Sequence, residues 1–215
     1  MPELIVPDPA DRDDLGAFVA RAVRLDQQTV LRLRARGENL VDAWATTPFD
    51  VLATRTVRGN VSPADVTVSG NELLAALAIV GGERLDPGPA QDMLWRAALP
   101  PAKGWHVVDD LPVRVVADLA ERGIAVARDN PGPQGGLPAS LLDQDVLTVS
   151  GSGLDVKVPM RCLFALSGMG FLGPEDAAPE PAATVRVTAT DAWLRLDARY
   201  GAVLRRRHAL LPLLV

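Results

Sequence analysis

Cys162 is the only cysteine in the 215 residues, and the chain holds just two histidines, His106 and His208. A nucleophilic thiol needs an imidazole to hold the thiolate and an open, electropositive setting. Cys162 instead stands between Met160 and Phe164 on an expected apolar helix face, which reads as a buried structural thiol. His106 lies beside Trp105, with Asp109 and Asp110 nearby, and a His–Asp pair can orient an imidazole for base chemistry. No Gly-x-Ser-x-Gly elbow accompanies it, so it reads as a loop histidine. One cysteine and two separated histidines cannot build a typical structural zinc site. No metal and no cofactor is implied, and no catalytic residue is assigned.

The glycine-rich strings give no phosphate cradle. Gly132-Pro133-Gln134-Gly135-Gly136 lacks the Lys-Ser/Thr of a P-loop, and Gly151-Ser152-Gly153 runs into a further strand where a helix N-terminus is needed.

The arginines remain as candidates for interaction. In 29–36 the pattern alternates, with Leu31, Leu33 and Ala35 on one side and Arg32, Arg34 and Arg36 on the other. That is a half-buried strand presenting one cationic face. It can meet an acidic partner or a phosphate backbone, or it can be a solvated face neutralised by cross-strand Asp and Glu. Arg205-Arg206-Arg207-His208 is the densest positive run. On a strand its side chains alternate between faces, so the run cannot be one flat patch, and Arg205 and Arg207 are its interaction candidates. Trp95 and Trp105 flank Pro100-Pro101 in a loop-like stretch; each is either an interface anchor or a clamp that pins the connector to the core.

The elements that must position these residues follow from periodicity. Helices are expected over 11–24, with Leu15, Phe18, Val19, Ala22 and Val23 on the core face, and after the Ser69-Gly70-Asn71-Glu72 capping box. Others are expected over 89–98, over 110–122 with Gly123 as its stop, and from Pro159 through Met160, Leu163, Phe164 and Ser167. Strands are expected over 29–36, 40–46, 49–57, 65–68, 145–149, 154–158, 184–190, 193–199 and 202–207. Consecutive strands with short links make antiparallel meanders. The fold class is therefore α+β: two lobes of antiparallel sheet with packed helices, residues 1–82 and 111–215, joined by a Pro/Gly/Trp-containing connector over 83–110. The leucines after His208 would form an apolar patch if left in water, so the tail is expected to cover the core.

Two strings recur. Asp65-Val66-Thr67-Val68-Ser69-Gly70 resembles 145–151 apart from an inserted leucine, and Asp42-Ala43-Trp44 recurs as Asp191-Ala192-Trp193. Both an internal duplication and chance in a biased composition account for them. The order of elements resembles the repeated modules of DNA sliding clamps, a likeness of fold that implies no activity. The strings Thr47-Pro48-Phe49-Asp50-Val51-Leu52 and 158–166 resemble a family of high-GC bacterial proteins with no activity attached to it.

Composition narrows the rest. The net charge is −5 and hydrophobic residues make up 48%, ordinary for a globular core. A single cysteine suits a reducing compartment, and no run of about 18 apolar residues suggests a membrane span. The expected setting is cytoplasmic, and the expected role is a non-enzymatic interaction or scaffold protein that binds a protein partner or itself. The alternative is a weak nucleic-acid-associated protein using the arginine face, disfavoured by the acidic balance. The third is an enzyme whose site carries no local signature.

Overall fold

A computed structural model describes residues 1–79, 82–132, 136–173 and 182–207. The leucine-rich tail and His208 lie outside them, as do residues 174–181. The chain divides into two compact units. One comprises Met1–Ala98 with Gly168–Phe171, the other Leu99–Ser167 with Leu172–Val215.

In the first unit, strand β1 (Glu3–Ile5) leads into helix α1 (Pro9–Leu25). The Asp8 carboxylate accepts the Ala10 amide at 2.9 Å, and Pro9 occupies the first turn, where a missing donor costs nothing. A meander follows: β2 (Val30–Arg36), β3 (Leu40–Thr46) and β4 (Leu52–Arg58). Strand β5 (Asn60–Ser62) returns to pair with β1. Strand β6 (Asp65–Ser69) pairs antiparallel with β2, giving the order β6-β2-β3-β4. β6 runs straight into α2 (Gly70–Ala78), whose capping serine, Ser69, accepts the Glu72 amide. The expected alternation holds: Leu31, Leu33, Val66 and Val68 are fully buried, and α1 buries Leu15, Phe18 and Val19. Each such side chain contributes roughly 1.5–3 kcal/mol by leaving water.

The segment after α2 stays with this unit. Strand β7 (Arg84–Leu85) pairs with β1. The helix expected over 89–98 is only a 3-10 turn at Asp92–Leu94. Just before that turn, the Gln91 amide donates to the Thr67 carbonyl at 2.7 Å, and Asp92 Oδ1 accepts the Thr67 amide at 2.6 Å. These bonds occupy the outer edge of β6, which would otherwise present unpaired donors and acceptors.

In the second unit, strand β8 (His106–Pro112) runs directly into α3 (Val113–Asp129). This corrects the helix expected from residue 110. Asp110, Leu111 and Pro112 pair with Arg186, Val185 and Thr184, so long-range pairing takes them into the sheet. Gly123 does not stop the helix either. A Cβ there would lie 2.5 Å from the Met160 sulfur and 2.9 Å from Phe164, so the glycine permits a close helix crossing. A short α4 (Ala139–Leu142) precedes the hairpin of β9 (Asp145–Gly151) and β10 (Leu154–Pro159), where Ser152 and Gly153 take positive φ. Helix α5 (Met160–Gly168) follows, then a second meander of β11 (Thr184–Ala189), β12 (Trp193–Ala198) and β13 (Gly201–Arg206). β8 flanks β11, giving β13-β12-β11-β8.

The two units thus contain the same parts in a different order. Each has a helix leading to a three-strand meander, plus one strand that flanks the first meander strand and continues into a helix. The counterpart of β6 is β8. The recurring string 145–151 falls instead on β9, which turns into β10 and leads to no helix, so that likeness is chance. Asp42-Ala43-Trp44 and Asp191-Ala192-Trp193 fall on or before β3 and β12, both middle strands, but at different positions along them.

Candidate interaction site

The arginine-rich end of β13 and the polar face of the β9–β10 hairpin frame a cleft of about 450 Å3. Register explains what each element sends there. Lys157 faces Thr148, and Pro159 faces Asp145, so these side chains share one side of the hairpin. The opposite side is its apolar face, with Val149, Val156 and Val158 buried. From the meander come Leu194, Arg205, Arg206 and Arg207.

The charged groups are held unequally. The Lys157 ammonium lies 3.1 Å from Asp145. Arg207 donates to two backbone carbonyls, Thr190 and Asp155, each at 2.9 Å. Arg206 lies over the buried Trp193 ring at 5.2 Å and has no carboxylate partner among the described residues. Arg205 approaches Asp143 at 4.0 Å. The Asp155 carboxylate accepts the Ser150 hydroxyl at 2.5 Å. Besides Arg205, which has Asp143, three cations line a cleft that holds two carboxylates, Asp145 and Asp155. The guanidiniums of Arg206 and Arg207 are set in orientation by a ring and by carbonyls, which neutralise no charge.

The arginines of β2 are placed differently. Arg32 makes a two-pronged pair with Asp65 at 2.7 and 2.8 Å, Arg34 reaches the same carboxylate at 3.1 Å, and Arg36 lies 3.5 Å from Asp42. The hydrogen bond to Asp65 raises the Arg32 pKa above its ordinary value, with a charge contribution from Asp65 and Asp92. Arg32, Arg34 and Arg36 do share one solvent face, and neighbouring strands supply its aspartates.

Two domains of unknown function match the chain: DUF8010 over residues 1–97, and DUF8185 over residues 100–210, more than half of it. The chain belongs to the DUF8185 family. No curated protein matches it by sequence. Among solved structures, the DUF8185 chain is similar to the DNA polymerase sliding clamp of Caulobacter crescentus, with a TM-score of 0.58 at 13% identity over 99% of this chain and 67% of that one. The Bacillus subtilis clamp gives 0.58 at 11% identity, over 97% and 65%. The DNA polymerase III subunit beta of Pseudomonas aeruginosa gives 0.56 at 11%, over 99% and 66%. At this identity the likeness is one of fold, and the chain spans less than two thirds of the Bacillus subtilis clamp.

The other candidates of this DUF8185 chain are spread out. The Trp95 ring lies 5.9 Å from the Arg32 guanidinium, and its indole donates to the Ala97 carbonyl at 2.6 Å, so it covers the β6–β2 side of its own unit. Trp105 donates to the Pro101 carbonyl at 2.9 Å and stays half-buried. Cys162 is buried. His106 is exposed at the start of β8, on a shallow depression with Lys103 and Asp191. Asp110 is engaged by Arg186, whose hydrogen bond lowers its pKa. The described residues contain no group of three metal-ligating side chains, and no described helix is long and apolar enough to cross a membrane.

The sequence singled out Arg205 and Arg207 but missed Lys157, Arg206 and Trp193 as their companions. One signal was present: Asp155 and Lys157 interrupt Leu154-Asp-Val-Lys-Val158 at every second position, which gives the hairpin one polar side.

Proposed function

We propose that the protein is a non-enzymatic interaction or scaffold protein of the cytoplasm. The observation that carries this is a fold spanning nearly the whole chain and similar to sliding clamps, which are named as subunits of a larger assembly, DNA polymerase III. The site supports the same reading. Its lining is rich in cations and includes no paired nucleophile and base of the kind group transfer needs. Capture of partners by the tagged full chain from native lysate, with sedimentation of the purified protein, tests it. A stoichiometric protein partner or a discrete oligomer is expected. A monomer that captures nothing overturns the reading.

The second reading is nucleic-acid association through Arg32, Arg34 and Arg36, favoured by the DNA polymerase connection of the fold neighbours. The aspartates on that face weigh against it, because a phosphate backbone must displace Asp65 and Asp42 before it meets free charge. Retention on immobilised DNA at low salt, lost in the triple arginine-to-glutamate variant, would favour this reading over the first.

A further inference from the structure

We propose that the cleft between the β9–β10 hairpin and the end of β13 docks an acidic, extended segment of a protein partner. This rests on the scaffold reading and adds the chemistry of the ligand. Arg206 is held by the Trp193 ring and Arg207 by the Thr190 and Asp155 carbonyls, so both forks are oriented in advance while their charge stays unspent. Lys157 can exchange Asp145 for an incoming carboxylate, since the pair is well exposed, at 72% and 41%. Two parallel N–H donors on a planar cation match a carboxylate in both spacing and plane.

Three features favour an acidic peptide over a nucleic-acid strand. Asp145 and Asp155 stand in the wall and break the cationic track that a chain of phosphates follows. Pro159 and Leu194, both buried, give the cleft an apolar floor where a track for phosphates would need further cations. The volume, about 450 Å3, suits a few residues rather than a long strand.

The experiment uses the full chain and a fluorescein-labelled peptide of alternating glutamate and leucine, read by fluorescence anisotropy. The same peptide with glutamine for glutamate and a single-stranded oligonucleotide are run in parallel. The glutamate peptide should bind roughly tenfold or more tightly than either, and rising salt should weaken it. Arg206→Glu should lose that binding with an unchanged circular dichroism spectrum, and Lys157→Glu provides an independent second variant. Arg84→Glu, an exposed charge reversal in the other unit, should bind as the unaltered protein does. Equal binding of both peptides, tighter binding of the oligonucleotide, no binding, or indifference to Arg206→Glu and Lys157→Glu each overturns the assignment. A partner captured from lysate equally well by Arg206→Glu would remove the cleft while leaving the scaffold reading intact. Peptide binding without any captured partner would do the reverse.

Discussion

The arginines of β2 and those at the end of β13 are put to opposite uses. On β2, Arg32, Arg34 and Arg36 look across at Asp65 and Asp42, and the face is closed by its own sheet. At the end of β13, Arg206 and Arg207 rest on a ring and on carbonyls, and the charge stays available. A positive run therefore means little until the residues on the facing strands are known. The flanking strand decides the matter: β6 brings an aspartate to β2, whereas β13 ends beside a hairpin whose polar side includes a lysine.

The comparison can be pressed hardest at two glycines. A Cβ on Gly151 would lie 1.9 Å from the Val108 carbonyl oxygen, and one on Gly59 would lie 2.3 Å from that of Ile5. Backbone cannot swing aside, so valine at either position should cost about 1–3 kcal/mol or more. Thermal melts should show losses of roughly 2–4 °C per kcal/mol. Gly151→Val should hurt more, because its contact is the shorter and joins the hairpin to β8.

Next come the arginines themselves. Reversing Arg32, Arg34 and Arg36 to glutamate removes three pairs worth about 0.2–1 kcal/mol each and adds repulsion. The melting temperature should fall while the circular dichroism spectrum is kept, because Leu31 and Leu33 still fill the other face. Arg206→Glu loses only a ring contact, about 0.5–1 kcal/mol at an exposed site, so its melting temperature should fall less. A larger fall for Arg206→Glu than for the triple variant would erase the distinction between the two faces.

Helix glycines give a smaller contrast. Nothing lies within 4 Å of a Cβ at Gly16 in α1, so Gly16→Ala should stabilise by about 0.5–1 kcal/mol. Gly123→Ala in α3 should not gain, since its methyl must push the Met160 side chain aside. Equal melting shifts for the two would mean that α3 and α5 do not cross closely.

The smallest effect is a pH dependence. The Asp110 carboxyl is held below its ordinary value by the Arg186 hydrogen bond. Its contribution is complete above the usual carboxylate range and is lost as pH falls through the lowered folded value. Asp110→Asn should therefore reduce the melting temperature slightly near neutrality, with the difference closing in acid. The raised pKa of Arg32 lies on the guanidinium side and has no such consequence in ordinary buffers.

Much of the architecture was legible because it is local. The alternation of β2, the Gly-rich turn of the β9–β10 hairpin and the apolar face of α5 are written in adjacent residues. The order of elements was enough for the likeness to clamp modules. What failed was decided elsewhere in the chain. Asp110 ahead of Pro112 mimics a helix start, yet pairing with Arg186 makes it strand. Gly123 mimics a helix stop, and only the approach of Met160 explains why it is internal. Strands β1 and β5 are three residues long, too short for any period. The cleft joins residues 145–159 to residues 194–207, and neither piece announces the other.

The bonds that Gln91 and Asp92 make to Thr67 have a further consequence for handling the protein. They close the β6 edge through a short turn whose Met93 and Leu94 are 79% and 56% exposed. A protease with a taste for large apolar residues meets its cleavage site there. A single nick would let the strap fray and leave β6 as a bare template for strands of other molecules. Nicked stock should thicken into aggregates while intact stock of the same concentration stays clear.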